Sequence, residues 1–217
     1  MRLNIGGALA FFAFNFVTGA VSSWAPTILT AVGLPMSNAI SGSLLFNSLA
    51  IGGGLVMASL IARWGSKPLM IGSSVAGLFA VVAMGVVLHE GMASPDGIEK
   101  YLLLALVGLI GLFVAGAWTC VYMILSVAYP VSQRATGVGF SVMMGRVSSV
   151  VAVLSGGVLL KMGGTTATPL FVVLAGFTAI AAMSAFIIDR HIMPTAPVAA
   201  GAEKAEAAAT TYTAAAP

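Results

Sequence analysis

LNIGGALAFFAFNFVTGAVSSWAPTILTAVGLPMSNAISGSLLFNSLAIGGGLVMASLIA, residues 3–62, contains no Asp, Glu, Lys or Arg. A bilayer core about 30 Å thick is crossed by about 20 mostly apolar helical residues, so this stretch has room for two crossings. Gly and Pro in Val32-Gly33-Leu34-Pro35 punctuate it. One span is therefore expected over 6–31 and a second over 39–62.

The same reading continues outward. After Arg63-Trp64-Gly65-Ser66-Lys67 come apolar runs over 68–88, 101–128, 135–160 and 168–188, separated by a polar loop holding Glu90, Asp96 and Glu99, by Tyr129-Pro130, and by a short Gly- and Thr-rich link. The runs are continuously apolar and lack the alternation of an outer-membrane strand, so an all-α bundle of six transmembrane helices over 1–190 is expected. Residues 191–217, rich in Ala, Thr and Pro, hold too little large apolar surface for a core and read as a disordered cytoplasmic tail. Composition agrees: the 217 residues are 59% hydrophobic and 7% charged, against roughly 25% charged in soluble domains. Lipid must be the solvent for most of this surface.

Charge placement sets the orientation. With a cytoplasmic N-terminus, Arg2, Arg63, Lys67, Arg134, Arg190 and Lys204 lie inside and Lys100 and Lys161 outside, as the positive-inside rule prefers. Both termini are then cytoplasmic. Met1-Arg2 with Thr18-Gly19-Ala20 could instead mark a cleaved secretory leader, but the apolar run continues through Trp24 to Val32.

Several functions are excluded or unsupported. The basic residues are scattered singly, so nothing tracks a nucleic-acid backbone. Cys120, the single cysteine, sits in an apolar run and reads as a small buried hydrophobe, without a disulfide or zinc site. His89-Glu90 lacks a second histidine at metalloprotease spacing, and no Gly-x-Ser-x-Gly elbow occurs. No catalytic residue, metal or cofactor is expected.

Where chemistry could sit follows from cost. A charge inside the membrane costs at least about 2.5–3.5 kcal/mol and marks function by default. Arg146 is the one such charge, twelve residues beyond Arg134 and so about 18 Å up the helix, near the midplane. Its fork suits bidentate binding of a carboxylate. A structural tie to backbone carbonyls is the alternative. Every Asp and Glu lies outside the spans. Polar and aromatic candidates inside them are Asn15, which shares a face with Thr18 and Ser22, the solitary Asn47, and Trp118 with Tyr122, which repeat with Ser126 every four residues. Each could instead bond across helices. Gly52-Gly53-Gly54, Gly108, Gly111 and Gly156-Gly157 read as close-packing points.

Ser23-Trp24-Ala25-Pro26-Thr27-Ile28-Leu29, Arg63-Trp64-Gly65-Ser66-Lys67, and Tyr129-Pro130-Val131-Ser132-Gln133-Arg134-Ala135-Thr136-Gly137-Val138-Gly139 running on to Gly145-Arg146 and Gly156-Gly157 resemble the C-terminal six-helix half of major facilitator superfamily transporters, closest to the aromatic acid/proton symporters. The resemblance covers roughly Asn4 to Arg190. It implies proton-coupled symport of an aromatic or other organic carboxylate by alternating access, in a bacterial inner membrane. By resemblance, Arg146, Asn15, Asn47, Trp118 and Tyr122 would contact the organic anion, and Arg63, Lys67 and Arg134 would form a cytoplasmic gate or latch. The chain departs from the pattern at Ala62 (family Asp), Ala58 (Gly), Ser148 (Gly) and Val153 (Pro).

Transport of this kind needs a second six-helix half rocking against the first. The length suffices for one, so the partners expected are the lipid bilayer, substrate anion, protons, and a second half supplied as a missing N-terminal half, a partner chain or a homodimer. A transport-inactive fragment or interaction subunit is the competing reading. An intramembrane enzyme would need a nucleophile and base on facing helices, and the sequence offers none.

Overall fold

The computed structural model describes residues 2–89, 98–163 and 167–188. They form six helices: α1 (Arg2–Ala31), α2 (Met36–Trp64), α3 (Ser66–His89), α4 (Ile98–Ala128), α5 (Arg134–Gly163) and α6 (Thr168–Ile187). All six are long and apolar enough to cross a membrane. The chain is a multi-pass membrane protein. The loop carboxylates Glu90 and Asp96 and the expected tail, 191–217, lie outside the described residues.

Helix ends follow local chemistry; α1 to α5 extend past the apolar cores read from sequence at one or both ends, and α6 stops one residue short. Pro35 caps α2, because its ring presets φ and an N-terminal position wastes no N–H. Gly33, at φ 90°, closes α1 with its N–H on the Thr30 carbonyl at 3.0 Å, the left-handed stop that glycine permits. A single residue, Gly65 at φ 81°, reverses the chain between α2 and α3. Pro26 sits inside α1 and removes one internal hydrogen bond there. Helix α1 nevertheless runs unbroken through Thr18-Gly19-Ala20, and Ala10, Phe14, Val17 and Ala20 are wholly buried in the bundle core.

Packing has a two-fold pattern. The first helix of each triplet lies mainly against the middle helix of the other, α1 on α5 and α4 on α2; α1 also packs on α6, α4 on α3, and α3 on α6. Three crossings turn the chain over, so α1–α3 and α4–α6 are inverted repeats. Helices α1 and α4 form the centre and α2 and α5 are the least covered.

The two equivalent seams are built differently. Between α2 and α4 the backbones touch: a Cβ on Gly53 would strike the backbone of Leu112, and one on Gly111 the carbonyl of Phe46. Between α1 and α5, small residues Ser141, Gly145, Ser148, Ala152 and Gly156 form the buried face of α5. There Ser148 Oγ donates to the Phe12 carbonyl at 2.5 Å, Ser149 Oγ to the Asn15 carbonyl at 3.2 Å, and Trp24 Nε1 to the Val153 carbonyl at 3.1 Å. Hydrogen bonds between membrane helices average about 0.6 kcal/mol, so three distribute roughly 2 kcal/mol along this seam. Ser148 and Val153, two positions of departure from the resembled pattern, are two of its anchors. Trp24 lies over Gly156 and Gly157, so two of the quoted motifs meet in space.

Candidate functional site

Three helices converge around Phe11. Its buried ring lies 6.1 Å from Trp118 in an edge arrangement and 5.9 Å from Tyr122, and those two rings are 6.4 Å apart. Such pairs contribute about 0.5–1.5 kcal/mol each beyond burial, so the α1–α4 contact is rigid here. One turn along α1, Asn15 donates Nδ2 to the Phe11 carbonyl at 2.8 Å. A Cβ on Gly145 would meet that same Asn15 amide. Glycine thus lets α5 lie flush on α1, which sets the next residue, Arg146, at the edge of this cluster.

Arg146 is exposed, and among the described residues it has no hydrogen-bond or ion-pair partner. Glu99, exposed in the first turn of α4, is the one carboxylate whose side chain is described. The charge lies near the middle of a 30-residue helix. A structural tie through carbonyls, the alternative raised from sequence, is not what the described contacts show. Near it, Trp118 Nε1 is buried without a hydrogen-bond partner, while Tyr122 is 46% exposed. Tyr122 and Val142, one turn before Arg146 on α5, line the same cavity, and no described carboxylate lies among its lining residues.

The other candidates fall elsewhere. Asn47 is exposed and donates Nδ2 to the Ser43 carbonyl at 2.8 Å, a bond within its own helix; no described polar or ring contact joins it to Phe11, Trp118 or Arg146. Thr18 likewise bonds the Phe14 carbonyl at 3.0 Å. Arg63 and Lys67 straddle Gly65 at the end of the bundle that also carries Arg134, with Arg63 and Arg134 exposed and Lys67 half-buried. At that same end Tyr129 donates its hydroxyl to Asn4 Oδ1 at 2.6 Å, over Gly137, and burial raises its phenol above the ordinary value. Among the described residues no group of three or more His, Cys, Asp or Glu could hold a metal. Cys120 is buried.

Sequence reading missed Phe11. It sits four residues before Asn15, on the stripe that continues through Thr18 and Ser22, but as one of several phenylalanines between residues 11 and 16 it carries no distinguishing signal.

Fold and site together define a six-helix membrane domain with an aromatic cluster between α1 and α4 and, in mid-span of α5, an arginine without a described partner. No family model matches the chain. Among curated proteins it is 27% identical over 183 residues to a gallate transporter of Pseudomonas putida, a match covering 84% of this chain and 38% of that protein. It is 28% identical over 160 residues to a gentisate transporter of Corynebacterium glutamicum, covering 73% and 33%. The chain spans well under half the length of these relatives.

Proposed function

We propose that this chain is one six-helix half of a secondary transporter for an aromatic or other organic carboxylate, working by alternating access and coupled to protons. The observation that carries the reading is Arg146: a mid-span guanidinium without a described partner, next in sequence to Gly145, which packs on the turn of α1 that carries Phe11. A carboxylate takes the guanidinium fork, the ring stacks on or against Tyr122, and Trp118 Nε1 supplies a further donor. The relatives' names add the substrate class, a hydroxylated aromatic acid.

Magnitudes suit release as well as capture. Hydrogen bonds to charged groups contribute about 1.5–3 kcal/mol and an aromatic contact about 0.5–1.5 kcal/mol, together roughly 2–4.5 kcal/mol. Binding of that strength runs from tens of millimolar to about half a millimolar, which lets the ligand leave after the protein reorients.

The remaining parts follow from the half-transporter reading. Asn15 positions the Phe11 turn, Asn47 faces a second half across α2, and Arg63, Lys67 and Arg134 act at a cytoplasmic gate. The second half, from a preceding segment, a partner chain or a second copy, covers α2 and α5, the least buried helices. It also supplies the proton relay, since the one described carboxylate, Glu99, sits in the first turn of α4 at the end of its span rather than deep within one. The membrane is the bacterial inner membrane with both termini cytoplasmic. The test is uptake of labelled gentisate or gallate by cells producing the chain with and without a complementary half. Saturable uptake with the half supports the reading; membrane insertion without uptake in either case makes the chain a transport-inactive subunit.

A further inference from the structure

Helices α4 and α5 are joined by the short Tyr129–Gln133 link, yet they scarcely touch, and less than their repeat counterparts α1 and α2. Between them lies a cavity of about 580 Å³, inside the range of about 300–1,000 Å³ for small-molecule sites. Tyr122 and Ser126 line it from α4, Gly139 and Val142 from α5, and Arg134 stands at its mouth. Arg146 is one helical turn beyond Val142 on the same strip of α5. The crevice thus has Arg134 and the exposed Tyr122 ring in its lining, and the strip of α5 that walls it leads on to Arg146, about 18 Å from Arg134 along the helix.

We propose that this α4–α5 crevice is the passage by which the carboxylate moves between the aqueous phase at the Arg134 end and Arg146. The proposal rests on the transport reading. It follows from charge and shape: two arginines without described partners favour an anion, the apolar walls favour a flat ring, and no described carboxylate lines the path. Gly139 is the gauge of the passage. A Cβ there meets nothing within 4 Å, so a side chain can start from this position without a clash and extend into the crevice that Gly139 lines. Helix propensity would improve as well, since glycine is the poorer helix former by about 1 kcal/mol.

The test uses membranes from cells producing the full chain together with its complementary half. Gly139→Leu is compared with Gly176→Leu on α6, where a Cβ also meets open space. The expected result is an initial rate of gentisate uptake lowered about tenfold or more by Gly139→Leu and changed less than about twofold by Gly176→Leu. In parallel, Gly139→Cys is labelled with an anionic methanethiosulfonate reagent in inside-out vesicles, with the unsubstituted chain and its buried Cys120 as the background. Labelling that gentisate slows and benzamide does not is expected. Uptake by Gly139→Leu equal to the unsubstituted chain, or labelling indifferent to gentisate, overturns the passage. If the unsubstituted chain takes up no gentisate, the transport reading fails by itself, and protection of the cysteine still decides whether the crevice admits the anion.

Discussion

Replacing Arg146 by Leu should make the protein more stable and less able to bind its substrate. At a helix centre in lipid, Arg costs about 2.5–3.5 kcal/mol and Leu gains about 0.3–0.6 kcal/mol, so the exchange is worth about 3–4 kcal/mol at full lipid exposure. No described bond is lost in return, because Arg146 has no described partner. In a chain of this size each kcal/mol moves the melting temperature by about 2–4 °C; a rise of several degrees is expected in detergent micelles. Gentisate affinity should fall about tenfold to a hundredfold, matching the loss of about 1.5–3 kcal/mol of charge-assisted hydrogen bonding. Arg146→Lys keeps the charge without the fork and should fall between. Thermal unfolding and uptake kinetics on the same preparations read both effects. A lowered melting temperature would identify Arg146 as a structural tie, and unchanged affinity would remove it from the site.

Gly53→Ala should destabilise by about 1–3 kcal/mol, because its methyl group meets the Leu112 backbone, whereas Gly52→Ala, open to free space, should not; thermal unfolding in micelles distinguishes them. Trp118→Phe removes an indole N–H that has no partner, so stability should change by less than about 1 kcal/mol while gentisate binding weakens about threefold to tenfold, as read by isothermal titration. Tyr129 holds its phenol proton more tightly when folded, through burial. Its contribution is therefore fully present below the ordinary value of about 10 and is lost as pH rises through the raised folded value. Tyr129→Phe should lower stability near neutral pH by about 0.5–1.5 kcal/mol through loss of the Asn4 bond, and should flatten the fall in melting temperature above about pH 10.

The helices were legible because charge is so scarce: the gaps between Arg63, Lys67, Lys100 and Arg134 bracket them, and Pro35 and Gly65 mark the turns. Their pairing was not. In lipid every face of a helix is apolar, so periodicity does not say which face meets another helix; glycines such as Gly53 and Gly145 hinted at contact without naming the partner. Arg146 was legible because a charge at that depth is costly. Phe11 was not, since one phenylalanine among many acquires its role only when α4 and α5 close around it. Asn47 stood out in an apolar run for the same reason as Asn15, and each donates its amide to its own helix; only Asn15 also packs against α5, at Gly145. A single sequence does not separate a polar group that satisfies its own backbone from one that faces a ligand.

The central claim is that Arg146 and the rings beside it bind a carboxylate. With Trp24 and Trp64 replaced by Phe, Trp118 is the single tryptophan, and its fluorescence reports on the site in lipid nanodiscs. Gentisate should quench it saturably, the neutral gentisamide should not, and Arg146→Leu should abolish the difference. Equal quenching by acid and amide, or a response indifferent to Arg146→Leu, would contradict the account.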